Sequence, residues 1–241
     1  MLQLVQAGTG PRRHIILGYF CDTLHVETDL PEILGEDVCL LQDLDDAHGR
    51  FAAAPGHGGV DPIEDVVAFA HEHCGEFEVG KIVLMGWSAG CQAVREQLRS
   101  DDHEIISGAV ALDGISGSVP PLPAQMAPWY AMVDRAKLGS GSLLIVTHTA
   151  MQYMENLPAG QRYESTTHTA AMLCERAGLT PPGPGGEASL GDFTVVSSPS
   201  ANIDGPAHIH QVKVVLPDVA KRFLVPWLAA EAPPSTQPQG A

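Results

Sequence analysis

The sequence has few basic residues and no long apolar run. Lysine and arginine together number 13 against 29 aspartates and glutamates, which gives a formal net charge of −16 at pH 7. Nucleic acids and anionic lipid surfaces attract positive charge, so this balance argues against nucleic acid or membrane as a partner of the whole chain. No apolar run approaches the roughly 20 residues of a membrane-spanning helix.

Cysteines are scarce and dispersed. The chain has five of them, an odd number without any C-x-x-C pair, so neither a disulfide framework nor a zinc finger is predicted. Arg12-Arg13 precedes a short apolar run without a small-residue cleavage site, and the pattern is therefore not typical of an export signal. These absences predict a cytoplasmic, reducing location. The cysteines are Cys21, Cys39, Cys74, Cys91 and Cys174.

The length of 241 residues and the 44% hydrophobic content are typical of one soluble domain with a sizeable core. Short apolar runs alternate with helical patterns, which predicts an α/β fold with a mostly parallel central sheet and helices on both faces. We expect a single domain over residues 1–231, with a cap-like insertion at about 116–139 and a disordered tail at 232–241. The predicted strands are 13–20, 37–42, 82–85, 105–112, 142–147 and 193–197, and the predicted helices include 62–74, 167–177 and 217–229.

The most informative stretch is the G-x-S-x-G sequence that follows the apolar run 82–85 and leads directly into a helical pattern. A strand that turns this sharply into a helix needs small residues, because a β-carbon there collides with the opposing backbone. Gly86, Ala89 and Gly90 satisfy that need and leave Ser88 at the apex. The pattern predicts a nucleophilic serine; the alternative is a tight turn with an ordinary surface serine.

A serine nucleophile needs a base and an acid that orients the base. Asp113 ends the next predicted strand and is the preferred acid, although Asp before Gly is also ordinary turn chemistry. Two late histidines compete for the role of base, and their two-residue spacing lets at most one of them reach Ser88. His208 is slightly preferred over His210 because it lies nearer the loop after the last predicted strand. Glu155 and Asp204 are weaker alternatives for the acid.

Backbone donors and apolar walls complete the predicted site. The N–H of Ala89 and that of Tyr19 or Phe20, at the end of the first predicted strand, are the expected oxyanion-hole donors. The expected substrate pocket is lined by Trp87 and by two residues of the insertion that are equally acceptable as core residues, Met126 and Trp129.

No metal or cofactor is predicted. The carboxylates and histidines between Asp43 and His57, and the His208-x-His210 pair, lack zinc-finger or EF-hand spacing. Gly56-His57-Gly58-Gly59 is not a phosphate-binding loop, because no Lys-Ser/Thr follows it.

Taken in order, GWSAG, ALDG and the late histidines before a final helix resemble the α/β-hydrolase family over nearly the whole chain. The resemblance implies a serine hydrolase that acts through a Ser-His-Asp triad and an acyl-enzyme, most simply a carboxylesterase with a small-molecule or acyl-ester substrate. Two departures are an acid one strand early and the absence of an HGGG-type sequence. The alternatives are a non-catalytic binding or assembly module with this fold, and a peptidase or thioesterase with the same triad.

Overall fold

A computed structural model describes six stretches of the chain. The predicted tail at 232–241 lies outside the described residues. Within them, no helix is both long enough and apolar enough to cross a bilayer. The described residues are 2–21, 29–45, 48–118, 123–149, 164–198 and 205–230.

The described residues form an eight-stranded sheet at the centre of the fold. Its strands are β1 Leu2–Gln6, β2 Arg12–Cys21, β3 Val38–Asp45, β4 Glu78–Trp87, β5 Ile106–Leu112, β6 Leu143–His148, β7 Glu187–Leu190 and β8 Phe193–Ser197. They lie side by side in the order β1-β3-β2-β4-β5-β6-β8-β7. Neighbouring strands from β3 through β8 in this order are parallel, whereas β1 and β7 pair antiparallel at the two edges. The predicted mostly parallel sheet is confirmed, and each predicted strand lies within or overlaps an observed one.

Helices cover both faces of the sheet. The α-helices described before residue 205 are α1 Leu30–Leu34, α2 His48–Phe51, α3 Ile63–Cys74, α4 Gly90–Arg99, α5 Pro123–Ala136 and α6 Thr166–Ala177. Because side chains alternate along a strand, Ile15 and Leu17 of β2 face one apolar cluster whereas Ile16 faces another. The first cluster contains residues of α2 to α6, and the second contains residues of α1 and of the helical segment at 205–229.

The last helical segment begins much earlier than the predicted Pro217. It consists of α7 Gly205–His210, α8 Leu216–Val219 and α9 Val225–Ala229, joined by wider π-helical turns at Gln211–Val215 and Ala220–Leu224. Each wide turn ends two residues before a proline, Pro217 or Pro226. A proline ring clashes with the carbonyl four residues earlier, and widening the helix to five-residue hydrogen bonds accommodates the ring without ending the helix.

Asp61 precedes α3 without capping it. Pro62 occupies the cap position, and no side chain caps the helix. The carbonyl of Asp61 instead accepts a hydrogen bond from Gln97 Nε2 at 2.7 Å, and its carboxylate lies 3.8 Å from Arg50 Nη2. In the predicted insertion, α5 packs against α4, α6 and β6 as one of the helices that cover the sheet.

Candidate active site

The turn between β4 and α4 holds Ser88 in a strained conformation. Its φ of 55° is in the left-handed region, which residues other than glycine rarely adopt. A β-carbon at Gly86 would lie 2.8 Å from the Cys91 backbone, and one at Gly90 would lie 2.0 Å from the Tyr19 carbonyl oxygen. The two glycines are therefore required by close approach, and the turn leaves the Ser88 side chain half-buried at the C-terminal edge of the sheet.

Asp113 lies beside this turn, one strand away. The Ser88 N–H donates to the carbonyl of Leu112, the residue before Asp113, at 3.1 Å. Asp113 also has a left-handed φ, 46°, and a β-carbon on the following Gly114 would lie 2.2 Å from the Ser88 carbonyl oxygen. The ends of β4 and β5 are therefore in backbone contact, and this contact fixes Asp113 relative to Ser88.

The Asp113 carboxylate is fully buried, and its hydrogen-bond donors include Thr149, Thr166 and His208. Thr149 donates its N–H to Oδ1 and its hydroxyl to Oδ2, both at 2.8 Å, and the Thr166 hydroxyl donates to Oδ1 at 2.7 Å. His208 Nδ1 lies 2.8 Å from Oδ2. Burial on its own raises the pKa of Asp113, but the hydrogen bonds from His208, Thr149 and Thr166 outweigh burial and hold the pKa below its ordinary value.

His208 is buried between this carboxylate and Trp87. Its imidazole stacks on the Trp87 indole with centroids 4.6 Å apart, and Trp87 Nε1 donates to the His208 carbonyl at 3.0 Å. An ionised carboxylate can only accept, so Nδ1 carries the proton in this pair and Nε2 remains as the basic nitrogen. The imidazole therefore lies against the residue that precedes Ser88.

His210, the other predicted base, is two residues further along α7. It is exposed, whereas the His208 side chain is 9% exposed. On a helix, positions two apart point in different directions, and the structure brings only His208 to Asp113. The weaker acid candidates Glu155 and Asp204 lie outside the described residues.

Comparison with known proteins gives similarity at the level of structure. No family model matches the chain, and no curated protein matches it in sequence. Est1E from Butyrivibrio proteoclasticus matches with a TM-score of 0.50 and 11% identity, over 95% of this chain and 93% of that one. LpqC, a poly(3-hydroxybutyrate) depolymerase from Bordetella parapertussis, matches with a TM-score of 0.50 and 11% identity, over 90% and 84% of the two chains.

This chain has the α/β-hydrolase fold. Its resemblance to that family, inferred from the motifs, is confirmed at the level of the fold. In the α/β-hydrolase fold the nucleophile elbow is a strained strand-to-helix turn, and the turn at Ser88 has that geometry.

The predicted oxyanion-hole donors lie next to the elbow. At this turn the Cys91 N–H donates to the Ser88 carbonyl, and the Gln92 N–H donates to the Ala89 carbonyl. The Ala89 N–H takes part in neither of these two hydrogen bonds. Tyr19 pairs in register with Gly86 of β4, and its buried phenol accepts a hydrogen bond from Gln97 Nε2 at 2.9 Å. Burial raises the pKa of Tyr19 well above its ordinary range. Phe20 is buried on the opposite face of the sheet.

The residues predicted to line a substrate pocket are all buried. Met126 and Trp129 of α5 belong to the apolar cluster between the helices and the sheet. A place in the core is one of the two alternatives that the sequence allows for these residues. Trp87 belongs to the cluster on the other face and contacts His208. Among the described residues, no group of three or more His, Cys, Asp or Glu side chains is placed to bind a metal ion.

Sequence reasoning missed Thr149 and Thr166. Thr149 follows β6 and Thr166 begins α6, and neither threonine belongs to a catalytic motif that the sequence displays. A usable signal existed: β6 is parallel to β5, so residues after β6 lie beside the end of β5. A hydroxyl at that point can donate to Asp113.

Proposed function

We propose that this protein is a carboxylic-ester hydrolase that acts through an acyl-enzyme on Ser88. The observation that carries the proposal is the buried 2.8 Å hydrogen bond between His208 Nδ1 and Asp113 Oδ2, located where the backbone of Ser88 contacts the end of β5. A buried Asp–His pair next to a strained elbow serine is the combination that serine activation requires.

In the proposed mechanism, His208 Nε2 takes the proton from Ser88 Oγ while Oγ attacks the ester carbonyl carbon. Asp113 holds the imidazole in the Nδ1–H tautomer and stabilises its cationic form. The Ala89 N–H, with a donor from the Tyr19–Phe20 end of β2, stabilises the negative charge on the carbonyl oxygen. His208 then protonates the departing alcohol, and a water molecule activated by the same nitrogen hydrolyses the acyl-enzyme.

An ester is the preferred substrate class. One of the matched structures is a poly(3-hydroxybutyrate) depolymerase. It supports an ester substrate by analogy of fold. Thioesters and amides are attacked by the same mechanism, and a panel of acyl p-nitrophenyl esters, acyl thioesters and peptide anilides separates these classes. The ester is expected to give the highest kcat/KM.

The test compares Ser88→Ala with Ser140→Ala. Ser140 is exposed on the connection after α5, so its replacement controls for the loss of a serine hydroxyl. We expect Ser88→Ala to lower p-nitrophenyl ester turnover by about 1,000-fold or more with little change in Tm, and Ser140→Ala to leave turnover unchanged. A fluorophosphonate probe is expected to label the tryptic peptide that contains Ser88.

His208→Ala and His210→Ala form the second pair of variants. We expect turnover to fall by at least about 100-fold only in His208→Ala, because the exposed His210 does not contact Asp113. Full turnover in Ser88→Ala contradicts the mechanism. A folded wild-type protein that neither turns over any member of the panel nor reacts with the probe is instead a non-catalytic protein with this fold.

A further inference from the structure

Two thiols from separate elements meet near the N-terminal ends of the parallel strands. Cys39 lies in β3 and Cys74 ends α3, 35 positions apart in the sequence, and their Sγ atoms are 3.1 Å apart. Both are free thiols; Cys39 is buried and Cys74 is half-buried. A disulfide has an S–S distance of about 2.0 Å, so a movement of about 1 Å closes the gap.

The end of α3 can supply this movement. Gly75 follows Cys74 with a φ of 76° and has open space where a β-carbon would point, so the backbone just after the helix can change conformation without a side-chain clash. Arg13 Nη1 donates to the Cys74 carbonyl at 2.8 Å, and its positive charge partly opposes the rise that burial causes in the pKa of the Cys39 thiol.

We propose that Cys39 and Cys74 are a redox modification site that forms an intramolecular disulfide by exchange with a small-molecule disulfide. The half-buried Cys74 loses its proton and attacks the small disulfide, which gives a mixed disulfide and releases one small thiol. Cys39 then loses its proton and attacks Cys74 Sγ, and this step releases the second small thiol. The two electrons lost by the protein thiols reduce the small disulfide to two thiols.

The two cysteines have different roles in this sequence of steps. Burial raises the pKa of the Cys39 thiol, the hydrogen bond to Cys74 raises it further, and Arg13 opposes the rise only in part. Cys39 therefore remains protonated and enclosed until the mixed disulfide is beside it. Cys74 reacts first because a small molecule can reach it.

The disulfide is expected to change stability and leave hydrolysis unchanged. It closes a loop that contains α2 and the connection to α3, which restricts the unfolded chain. Cys39 is in register with Ile15, which is itself in register with Ile82. Ser88 comes six residues after Ile82, a separation of about 20 Å at about 3.3 Å per strand residue.

The test incubates the purified full chain with oxidised glutathione. We expect the mass to fall by two hydrogen atoms, a cross-linked tryptic peptide pair containing Cys39 and Cys74, and a rise in Tm of about 5–15 °C that dithiothreitol reverses. Ester turnover, where present, is expected to stay within about two-fold.

Cys74→Ser and Cys39→Ala are expected to abolish the shift in Tm, and Cys174→Ser, which replaces a buried thiol of α6, is expected to keep it. Cys74→Ser is expected to disturb folding less than Cys39→Ala, because Cys74 is half-buried whereas Cys39 is buried. Retention of one glutathione on Cys74 without the cross-link, an unchanged mass, or a cross-link through another cysteine overturns the proposal. None of these results depends on whether the protein hydrolyses esters.

Discussion

At the scale of single residues, Asp113 connects three parts of the chain that are distant in sequence. Thr149 follows β6, Thr166 begins α6, and His208 lies on α7, and all three donate to the one buried carboxylate. Hydrogen bonds to an ionised group are stronger than those between neutral groups. This convergence holds the carboxylate in its ionised form and fixes the side on which His208 binds.

Thr166→Val tests this convergence. Removal of a donor to a buried carboxylate is expected to lower the free energy of unfolding by about 1.5–3 kcal/mol at neutral pH. The matched control is Thr167→Val, because the Thr167 hydroxyl donates to the Thr149 carbonyl at 2.7 Å and is not a partner of Asp113. The control is expected to lose about 0.5–1.5 kcal/mol, measured by urea unfolding. Equal losses in the two variants contradict a special role for Thr166.

The loss of unfolding free energy at acidic pH provides a second test of the hydrogen bonds to Asp113. The pKa of Asp113 is lower in the folded protein than its ordinary value, so its contribution is present above the unfolded pKa and is lost as the pH falls through the folded one. Thr166→Val moves the folded pKa back toward the ordinary value. In urea unfolding between about pH 5 and pH 3, the variant is therefore expected to lose less stability than the wild type.

The choice between the two histidines shows where sequence reasoning ends at this scale. Ser88 and Asp113 each stand at the end of a local apolar run and before small residues, so their positions at strand ends could be predicted from neighbouring residues alone. His208 and His210 differ only in the rotation of α7 about its axis. That rotation depends on the packing of the helix on the sheet, including the Trp87 contact, which no local pattern contains.

At the scale of elements, the turn that joins β4 to α4 has no space for a β-carbon at Gly86 or Gly90. Gly90→Ala places a β-carbon against the Tyr19 backbone of β2, which cannot move without disturbing the centre of the sheet. We expect a loss of about 1–3 kcal/mol in the free energy of unfolding, together with reduced ester turnover because the elbow is displaced. Gly183→Ala is the control, since a β-carbon there meets nothing within 4 Å. Thermal unfolding and ester turnover of the two variants test whether the collision at Gly90 causes the loss.

The predicted elements also show which signals are local. The buried parallel strands are short apolar runs and were predictable, whereas the edge strands β1 and β7 were not, because their residues are mostly exposed or half-buried. The last helical segment begins at Gly205 and not at the predicted Pro217, because the prediction rests on the frequent position of proline at the beginning of a helix. Here Pro217 and Pro226 are accommodated inside the segment by wider turns, a solution that depends on tertiary packing.

At the scale of the whole molecule, Lys81 near the start of β4 is bound to the end of α9, the last helix among the described residues. Its ammonium group donates to the carbonyls of Trp227 and Ala230 and lies 4.2 Å from the centroid of the Trp227 ring. A cation at a helix C-terminus stabilises both the helix dipole and the unpaired carbonyls. The segment that carries His208 at its start is therefore fixed to the central sheet at its other end.

Lys81→Met keeps the aliphatic stem and removes the charge. We expect the free energy of unfolding to fall by about 2–3 kcal/mol, because buried carbonyls lose their donor. Lys137→Met is the matched control, since Lys137 pairs with Asp134 at 2.7 Å in a partly exposed setting and its loss is expected to cost at most about 1 kcal/mol. Urea unfolding at neutral pH measures both, and similar values for the two variants contradict the role assigned to Lys81.

The stacking of Trp87 on His208 makes the indole an internal optical reporter. The chain has three tryptophans, so the emission of Trp87 is the part of the signal that Trp87→Phe removes, and that part is expected to change when the two rings separate. In the Ser88→Ala protein the same signal remains, since neither ring is altered, and the packing of α7 on the sheet can then be followed without any substrate.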